Sequence, residues 1–144
     1  IKEEVPNDYF TIPFGKASLL KEGNDVTIVT YGMGVHWALA ALKENPEISA
    51  DLLDLRTLVP LDTEAIFDSV KKTNRVIILH EATLFNGFGG ELSALISENC
   101  FEYLDAPIKR VASIDTPVPF INQLEQQFMP NERFKEELIS LVNY

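Results

Sequence analysis

A glycine-rich turn after an apolar run is the first place in this sequence where chemistry could occur. Gly32 and Gly34 follow the strand-like run 26–31, and Asp54 comes about twenty residues later, at the spacing of a dinucleotide-binding fingerprint. The third glycine of that fingerprint, which lets a helix pack closely on a strand, is replaced by the bulky Trp37. A tight strand-to-helix turn needs the same small residues for its backbone geometry alone. We therefore favour a structural turn and keep a stand-alone nucleotide-binding module as the alternative.

A second glycine cluster, NGFGG at 86–90, follows a strand that is predicted to end at His80 and Glu81. Its backbone N–H groups could hold an anion at the start of the next helix. However, the cluster lacks the lysine of a GxxxxGK[ST] loop, and Glu91 already places negative charge in the first helical turn. We expect a loop that packs against another domain.

The remaining reactive side chains do not form a complete catalytic set. His80 beside Glu81 could act as an acid/base pair, and His80 with Cys100 as base and nucleophile, but neither pair has a third orienting group at a recognisable spacing. His36 has Ala40 four residues later, where a second zinc ligand would stand. The sequence thus predicts no catalytic residue, no cofactor-binding residue and no metal ligand in this chain. For His80 it predicts a hydrogen-bonded structural or interface role.

The elements that position these residues follow from the hydrophobic pattern. Runs rich in Val and Ile alternate with helical periodicity, which is typical of a largely parallel sheet covered on both faces. This predicts an α/β fold of three layers, with a mostly parallel five-stranded sheet and helices on both faces. The strands are expected at 15–20, 26–31, 49–54, 76–80 and 108–112, and the helices at 34–43, 62–72, 90–103, 122–127 and 131–144.

Within the helices, periodicity and capping signals predict particular contacts. The first helix should face the sheet with Val35, Leu39 and Leu42, at spacings of four and seven residues. The second helix is expected to be capped by Asp62. Cys100 falls on the apolar stripe of the third helix, so we expect a core residue instead of a reactive thiol.

Length and composition indicate one compact domain. The chain has 144 residues, 46% of them hydrophobic, which is enough for one substantial core. We assign that domain to residues 12–144 and interpret the polar segment 1–11 as a linker from an upstream domain. A single cysteine and the absence of an 18-residue apolar run or a signal-like start favour a soluble, cytoplasmic protein with no membrane partner.

The net charge of −10 bears on possible partners. A field of this sign repels nucleic-acid phosphates and anionic lipids, so nucleic acid is not expected as a partner. A basic protein partner is electrostatically favoured.

Three loop sequences carry a resemblance to a known family. They are DLRTLVPLD at 54–62, HEATLFNGFGGEL at 80–92 and FEYLDAPIKRVASIDTPVPF at 101–120. From residue 12 to the closing LVNY, the chain resembles the C-terminal, transketolase-like domain of the beta subunit, or beta half, of thiamine-diphosphate-dependent 2-oxoacid dehydrogenases. The HEA triplet, the LDAP and DTPVPF run and the VNY ending are more similar to branched-chain (2-oxoisovalerate) enzymes than to pyruvate enzymes.

The resemblance implies a parent enzyme that oxidatively decarboxylates a 2-oxoacid and transfers the acyl group to lipoyl-lysine. In that family thiamine diphosphate and magnesium are bound by the other domains. A domain like this one is implied to be non-catalytic and to serve assembly. It packs beta against beta in a homodimeric contact, lies against alpha and beta domains of the same enzyme, and docks the subunit-binding domain of the dihydrolipoyl acyltransferase. A pyruvate dehydrogenase or transketolase-type parent stays open, as does the preferred oxoacid.

The resemblance also assigns two docking residues: the acidic position of the LDAP turn, which is Asp105, and the terminal carboxylate, which belongs to Tyr144. Such anions can pair with basic residues of a docking domain. Glu98 and Glu102 on the preceding helix can extend the acidic surface. Asn86 stands where related chains usually carry glycine, and Asn is the next residue most tolerant of positive φ.

Overall fold

The computed structural model describes residue 4 and residues 6–144. Its strands are β1 (Ser18–Lys21), β2 (Val26–Thr30), β3 (Ala50–Asp54), β4 (Val76–Thr83) and β5 (Lys109–Ser113). Its helices are α1 (Met33–Glu44), α2 (Thr63–Thr73), α3 (Phe88–Cys100), α4 (Asn122–Phe128) and α5 (Asn131–Val142), with a 3-10 turn at Phe101–Tyr103. Part of the predicted linker, residues 1–3 and 5, lies outside the described residues.

The five strands form one sheet in the order β1-β3-β2-β4-β5. β1 runs antiparallel to β3 at one edge, and the other neighbours are parallel. The predicted α/β class with a mostly parallel five-stranded sheet is confirmed. No helix in the described part is long and apolar enough to cross a membrane.

Helices cover the sheet on both faces because successive strand residues point to opposite sides. In β4, Ile77 and Leu79 pack into a core with α1 and α5, whereas Val76 and Ile78 pack into a second core with α2 and α3. All four side chains are fully buried, as expected for an inner parallel strand. The three-layer arrangement is therefore confirmed.

The inward stripe predicted for α1 is wrong at one position. Val35 and Leu42 are buried, but Leu39 is 37% exposed and Ala38 is buried in its place. The residues that face the sheet therefore stand at positions i, i+3 and i+7. Position i+4 lies on the same face of an ideal helix as i+3, but here it points toward solvent. The small side chain at 38 allows the helix to approach the sheet closely.

Asp62 links the start of the domain to α2. As predicted, its Oδ1 accepts a hydrogen bond from the Ala65 backbone N–H (3.3 Å) and caps the helix. Its Oδ2 accepts the Ala17 N–H (3.0 Å) and lies 3.8 Å from the Lys16 ammonium. One buried carboxylate thus serves a helix cap and a long-range anchor.

The boundaries of α3 and β4 differ from the predicted ones. β4 continues to Thr83, and α3 begins at Phe88 and ends at Cys100, where the 3-10 turn takes over. Gly87 supplies an extended N-cap (φ −79°, ψ 158°), so the last glycines of the cluster belong to the first helical turn. The expected loop at 86–90 is corrected to a short turn followed by a helix start.

Candidate functional site

The first glycine turn, at the carboxyl end of β2, is built for close packing. Gly32 has a positive φ of 58° and open space around it. A Cβ at Gly34 would collide with Oγ1 of Thr30, whose hydroxyl donates to the Leu79 carbonyl (2.8 Å). Trp37 packs against the first core, where the fingerprint requires a glycine. This geometry favours the structural interpretation of the turn.

His80 lies inside β4 and is completely buried. Among residues 4 and 6–144, neither ring nitrogen has a hydrogen-bond partner of ordinary geometry. The ring lies directly beneath the start of α3. A Cβ atom added at Gly89 would stand 2.5 Å from Nε2, and a Cβ atom added at Gly87 would stand 2.6 Å from Cε1. Tyr31 stacks on the ring, with centroids 6.2 Å apart. The predicted strand-end position of His80 is wrong, because β4 continues beyond it to Thr83.

Burial determines the charge state of this cluster. It lowers the pKa of His80, with a smaller contribution from the positive charge of Arg110, while the Ala82 backbone opposes part of the fall. Burial also raises the pKa of Tyr31. The imidazole is therefore neutral at neutral pH. Glu81, the next strand residue, points to the exposed side and forms no acid/base pair with it.

Cys100 and His80 do not meet either. His80 lies beneath the first turn of α3 and Cys100 is the last residue of that helix, so roughly 18 Å of helix separates them. The thiol is buried in the second core, and burial raises its pKa. As predicted, Cys100 is a core residue.

Aromatic side chains lie at the point of the sheet where the strand order reverses. Doubly wound folds bind ligands at the carboxyl ends of the strands where their order reverses, here between β2 and β4. Tyr31, His80 and Phe88 meet there, with the Tyr31 and Phe88 centroids 6.4 Å apart. Within residues 4 and 6–144, no three His, Cys, Asp or Glu side chains are placed to share a metal ion.

The opposite, amino end of the sheet carries an open groove of about 740 Å³. Asp105 and Tyr144, the two docking residues that the sequence predicts, both line it. The Asp105 backbone N–H donates to the Asn74 carbonyl (2.9 Å), which fixes the turn while the side chain stays exposed. The other lining residues are Ser93, Ser97, Phe101, Glu102, Leu104, Ala106, Pro107 and Ile108.

The groove is acidic and partly aromatic. Glu102 and Asp105 supply its charged side chains, and none of its lining residues is Lys or Arg. Of the two acidic residues named as extensions, Glu102 lines the groove and Glu98 does not. Three lining residues were not predicted from the sequence, although their four-residue spacing marks one side of a helix: Ser93, Ser97 and Phe101.

The loops at the carboxyl end of the sheet also expose large apolar side chains. Val59, Phe85 and Phe120 are each more than three-quarters exposed. The Phe85 backbone N–H donates to Asp115 Oδ1 (2.7 Å), so this loop is held while its ring faces outward. Next to it Asn86 has a φ of 57°, the positive value that a glycine or asparagine accommodates best.

Comparison with known proteins places this geometry in a family. The model of the transketolase C-terminal domain matches residues 15–133. The chain is 48% identical over 132 residues to the beta subunit of acetoin:2,6-dichlorophenolindophenol oxidoreductase from Bacillus subtilis (90% of this chain, 39% of that subunit). It is 46% identical over 134 residues to the beta subunit of 2-oxoisovalerate dehydrogenase from the same bacterium (91% and 41%). To the pyruvate dehydrogenase E1 component subunit beta of Rickettsia felis it is 43% identical over 143 residues (98% and 44%).

Among solved structures, it is similar to a split-gene transketolase in an inactive beta4 tetramer (TM-score 0.78, 26% identity, 98% of this chain and 46% of that one). The chain spans less than half the length of each of these relatives. Fold, family model and relatives agree: the chain belongs to the transketolase C-terminal domain family, in the form found in beta subunits of 2-oxoacid dehydrogenases.

Proposed function

We propose that this chain is a non-catalytic assembly domain of a 2-oxoacid dehydrogenase. The parent enzyme decarboxylates a 2-oxoacid oxidatively and passes the acyl group to lipoyl-lysine. Thiamine diphosphate and magnesium bind to its other domains, to which residues 1–11 form the linker. Family membership and the similarity to beta subunits support this proposal. It predicts that the 144-residue chain alone turns over no 2-oxoacid.

The preferred oxoacid is the finer part of the proposal. Identities of 48%, 46% and 43% to acetoin, 2-oxoisovalerate and pyruvate enzymes do not rank the substrates. We propose a branched-chain substrate on the HEA triplet and the VNY ending. Rates of the full-length parent on 3-methyl-2-oxobutanoate and pyruvate test it. Faster turnover of pyruvate favours a pyruvate dehydrogenase, and turnover of neither favours a transketolase-type parent.

Docking of the acyltransferase is the assembly role that the groove supports best. The observation that carries it is that Asp105 and Tyr144, far apart in sequence, line one groove together with Glu102. An acidic groove without a basic lining residue attracts a basic partner. The partner in this proposal is the subunit-binding domain of the dihydrolipoyl acyltransferase, which pairs cations with Asp105 and contacts Tyr144.

Calorimetric titration with that subunit-binding domain tests the docking role. Asp105→Asn should weaken binding about tenfold or more, because the cation facing it loses its charged partner. Glu64→Gln removes the same charge from the first turn of α2, at the opposite edge of the sheet, and should leave the affinity unchanged. Equal affinities of wild type and Asp105→Asn would place the interface elsewhere.

A shortened chain tests the contribution of Tyr144. Removal of residues 143–144 keeps Leu141, which is fully buried in the first core, so the fold should survive. The shortened chain lacks the Tyr144 side chain that lines the groove, and we expect the binding domain to dissociate faster. Deletion from Leu141 onward would confuse loss of binding with loss of the core.

Beta–beta packing is the second part of the assembly role. The split-gene transketolase to which the chain is similar forms a beta4 tetramer. The exposed Val59, Phe85 and Phe120 supply apolar area for such a contact. Sedimentation velocity should show association that Phe85→Ser weakens and Ile139→Ser, on the outer face of α5, does not. A monomer at all concentrations would count against this contact.

The cytoplasmic location expected from the sequence stays a prediction.

A further inference from the structure

An exposed aromatic ring lies among the carboxylates of the groove. Phe101 begins the 3-10 turn after α3 and is 77% exposed, although phenylalanine has no polar atom that favours water. It lines the same groove as Glu102 and Asp105. The Phe101 ring and the carboxylates of Glu102 and Asp105 therefore face the same open space.

The same turn contains a second aromatic ring that already carries a cation. The Lys71 ammonium lies 5.5 Å from the centre of the Tyr103 ring. Within the described part of the chain, no cation–π contact forms over the Phe101 ring. The groove itself has no Lys or Arg side chain to supply one. The Phe101 face is therefore free for a cation from a partner.

Among cationic side chains, arginine fits this combination best. Its planar guanidinium stacks on an aromatic face and at the same time donates paired hydrogen bonds to a carboxylate. A lysine ammonium is a compact, strongly hydrated charge that pairs with the carboxylate but stacks less well. A ring and two carboxylates around one groove thus discriminate between two side chains of equal charge.

Resting on the proposed docking function, we infer that Phe101 and Asp105 together form a subsite for an arginine side chain of the basic partner. Asp105 supplies the charge and Phe101 the selectivity for guanidinium over ammonium. The two residues therefore have separable effects. Loss of Asp105 weakens every basic ligand, whereas loss of the Phe101 ring removes only the preference for arginine.

Two peptides of the same length and charge test the subsite, one with four arginines and the other with four lysines at the same positions. The wild-type chain should bind the arginine peptide roughly two- to fivefold more tightly, the range expected for one exposed cation–π contact. Phe101→Leu should bring this ratio close to one. Phe14→Leu, at an exposed phenylalanine that does not line the groove, is the matched control and should keep the ratio. Circular dichroism confirms that both variants are folded.

The outcomes separate the subsite from the docking function. Binding of both peptides with equal affinity, or an arginine preference that survives Phe101→Leu, overturns the subsite and leaves the docking proposal standing. If neither peptide nor the subunit-binding domain binds, the docking proposal and the subsite fall together. Asp105→Asn should weaken both peptides by a similar factor, and a loss confined to the arginine peptide would contradict the assigned roles.

Discussion

The two ends of the sheet differ in how tightly their side chains are held. At the carboxyl end, Gly34, Gly87 and Gly89 have other atoms where a Cβ would stand, and His80 is enclosed completely. At the amino end, Asp105 and Phe101 extend into an open groove, and no described residue forms an ion pair with Asp105 or a cation–π contact with Phe101. The carboxyl end is closely packed around His80, and the amino end carries an open acidic groove.

Substitutions at the two ends should therefore affect different properties of the protein. Substitutions at the enclosed end should cost folding free energy, because close-packed atoms have nowhere to move. Substitutions in the groove should change binding with little effect on stability, because exposed side chains lose few contacts on mutation. The family motif HEATLFNGFGGEL lies at the enclosed end, and the LDAP turn lies in the groove.

The largest effect is expected at Gly89. Alanine normally stabilises a helical position relative to glycine, but here its Cβ would be 2.5 Å from His80 Nε2. Gly89→Ala should therefore lower the free energy of unfolding by about 2–3 kcal/mol. Urea denaturation of the isolated chain measures it.

Gly90 is the matched control for this prediction. The nearest atom to a Cβ at Gly90 is an Arg110 guanidinium nitrogen at 3.7 Å, an ordinary contact. Gly90→Ala should be neutral or stabilising by up to about 1 kcal/mol. Equal effects of the two neighbouring substitutions would show that His80 does not press on the start of α3.

Asp62→Ala should have the next largest effect. The change removes the cap of α2 and leaves the Ala17 N–H without its acceptor, which together cost about 2 kcal/mol. Thermal unfolding followed by circular dichroism measures the loss. Glu64→Ala, two residues further on and without a cap bond, should cost well under half as much. Similar losses for both variants would argue against the anchoring role.

His80 should make stability depend on pH. Burial lowers its pKa in the folded state, so the unfolded chain takes up the proton first as the pH falls below the ordinary histidine value of about 6.5. The contribution is fully present above that value and is lost toward the lower folded pKa, by at most about 1.4 kcal/mol per pH unit. Unfolding at pH 5.5–7.5 should give a shallower pH dependence for His80→Leu. Parallel curves would contradict a buried neutral imidazole.

The smallest effect on folding is expected in the groove. Asp105→Asn and Phe101→Leu should each change the free energy of unfolding by less than about 0.5 kcal/mol, since both side chains are exposed. Urea denaturation of both variants is the measurement. A loss comparable to that of Gly89→Ala would remove the distinction between the two ends of the sheet.

Much of the fold could be predicted from the sequence because apolar periodicity reports burial directly. The five strands and the Asp62 cap follow from local patterns. The start of α3 could not be predicted, because glycines in a helical first turn look like a loop unless the ring beneath them is known. The prediction that Leu39 faces the sheet was wrong for a similar reason. Ala38 and Leu39 lie on the same helical face, and only packing determines which of them is buried.

The candidate site divides along the same line. The resemblance named Asp105 and Tyr144, but only the structure shows that they line one groove. Phe101 continues the four-residue spacing of Ser93 and Ser97, but that spacing does not show that its ring faces solvent. His80 was predicted at a strand end from the local pattern, and its enclosure beneath Gly87 and Gly89 is visible only in the structure.

The most direct test of the account is the dissociation constant of the acyltransferase subunit-binding domain, measured across a range of salt concentrations for wild type and Asp105→Asn. The account predicts binding to the wild-type chain that weakens steeply with salt, and weaker binding with a shallower salt dependence for the variant. Identical affinity and salt dependence for the two chains would contradict the assignment of the acidic groove as the docking surface.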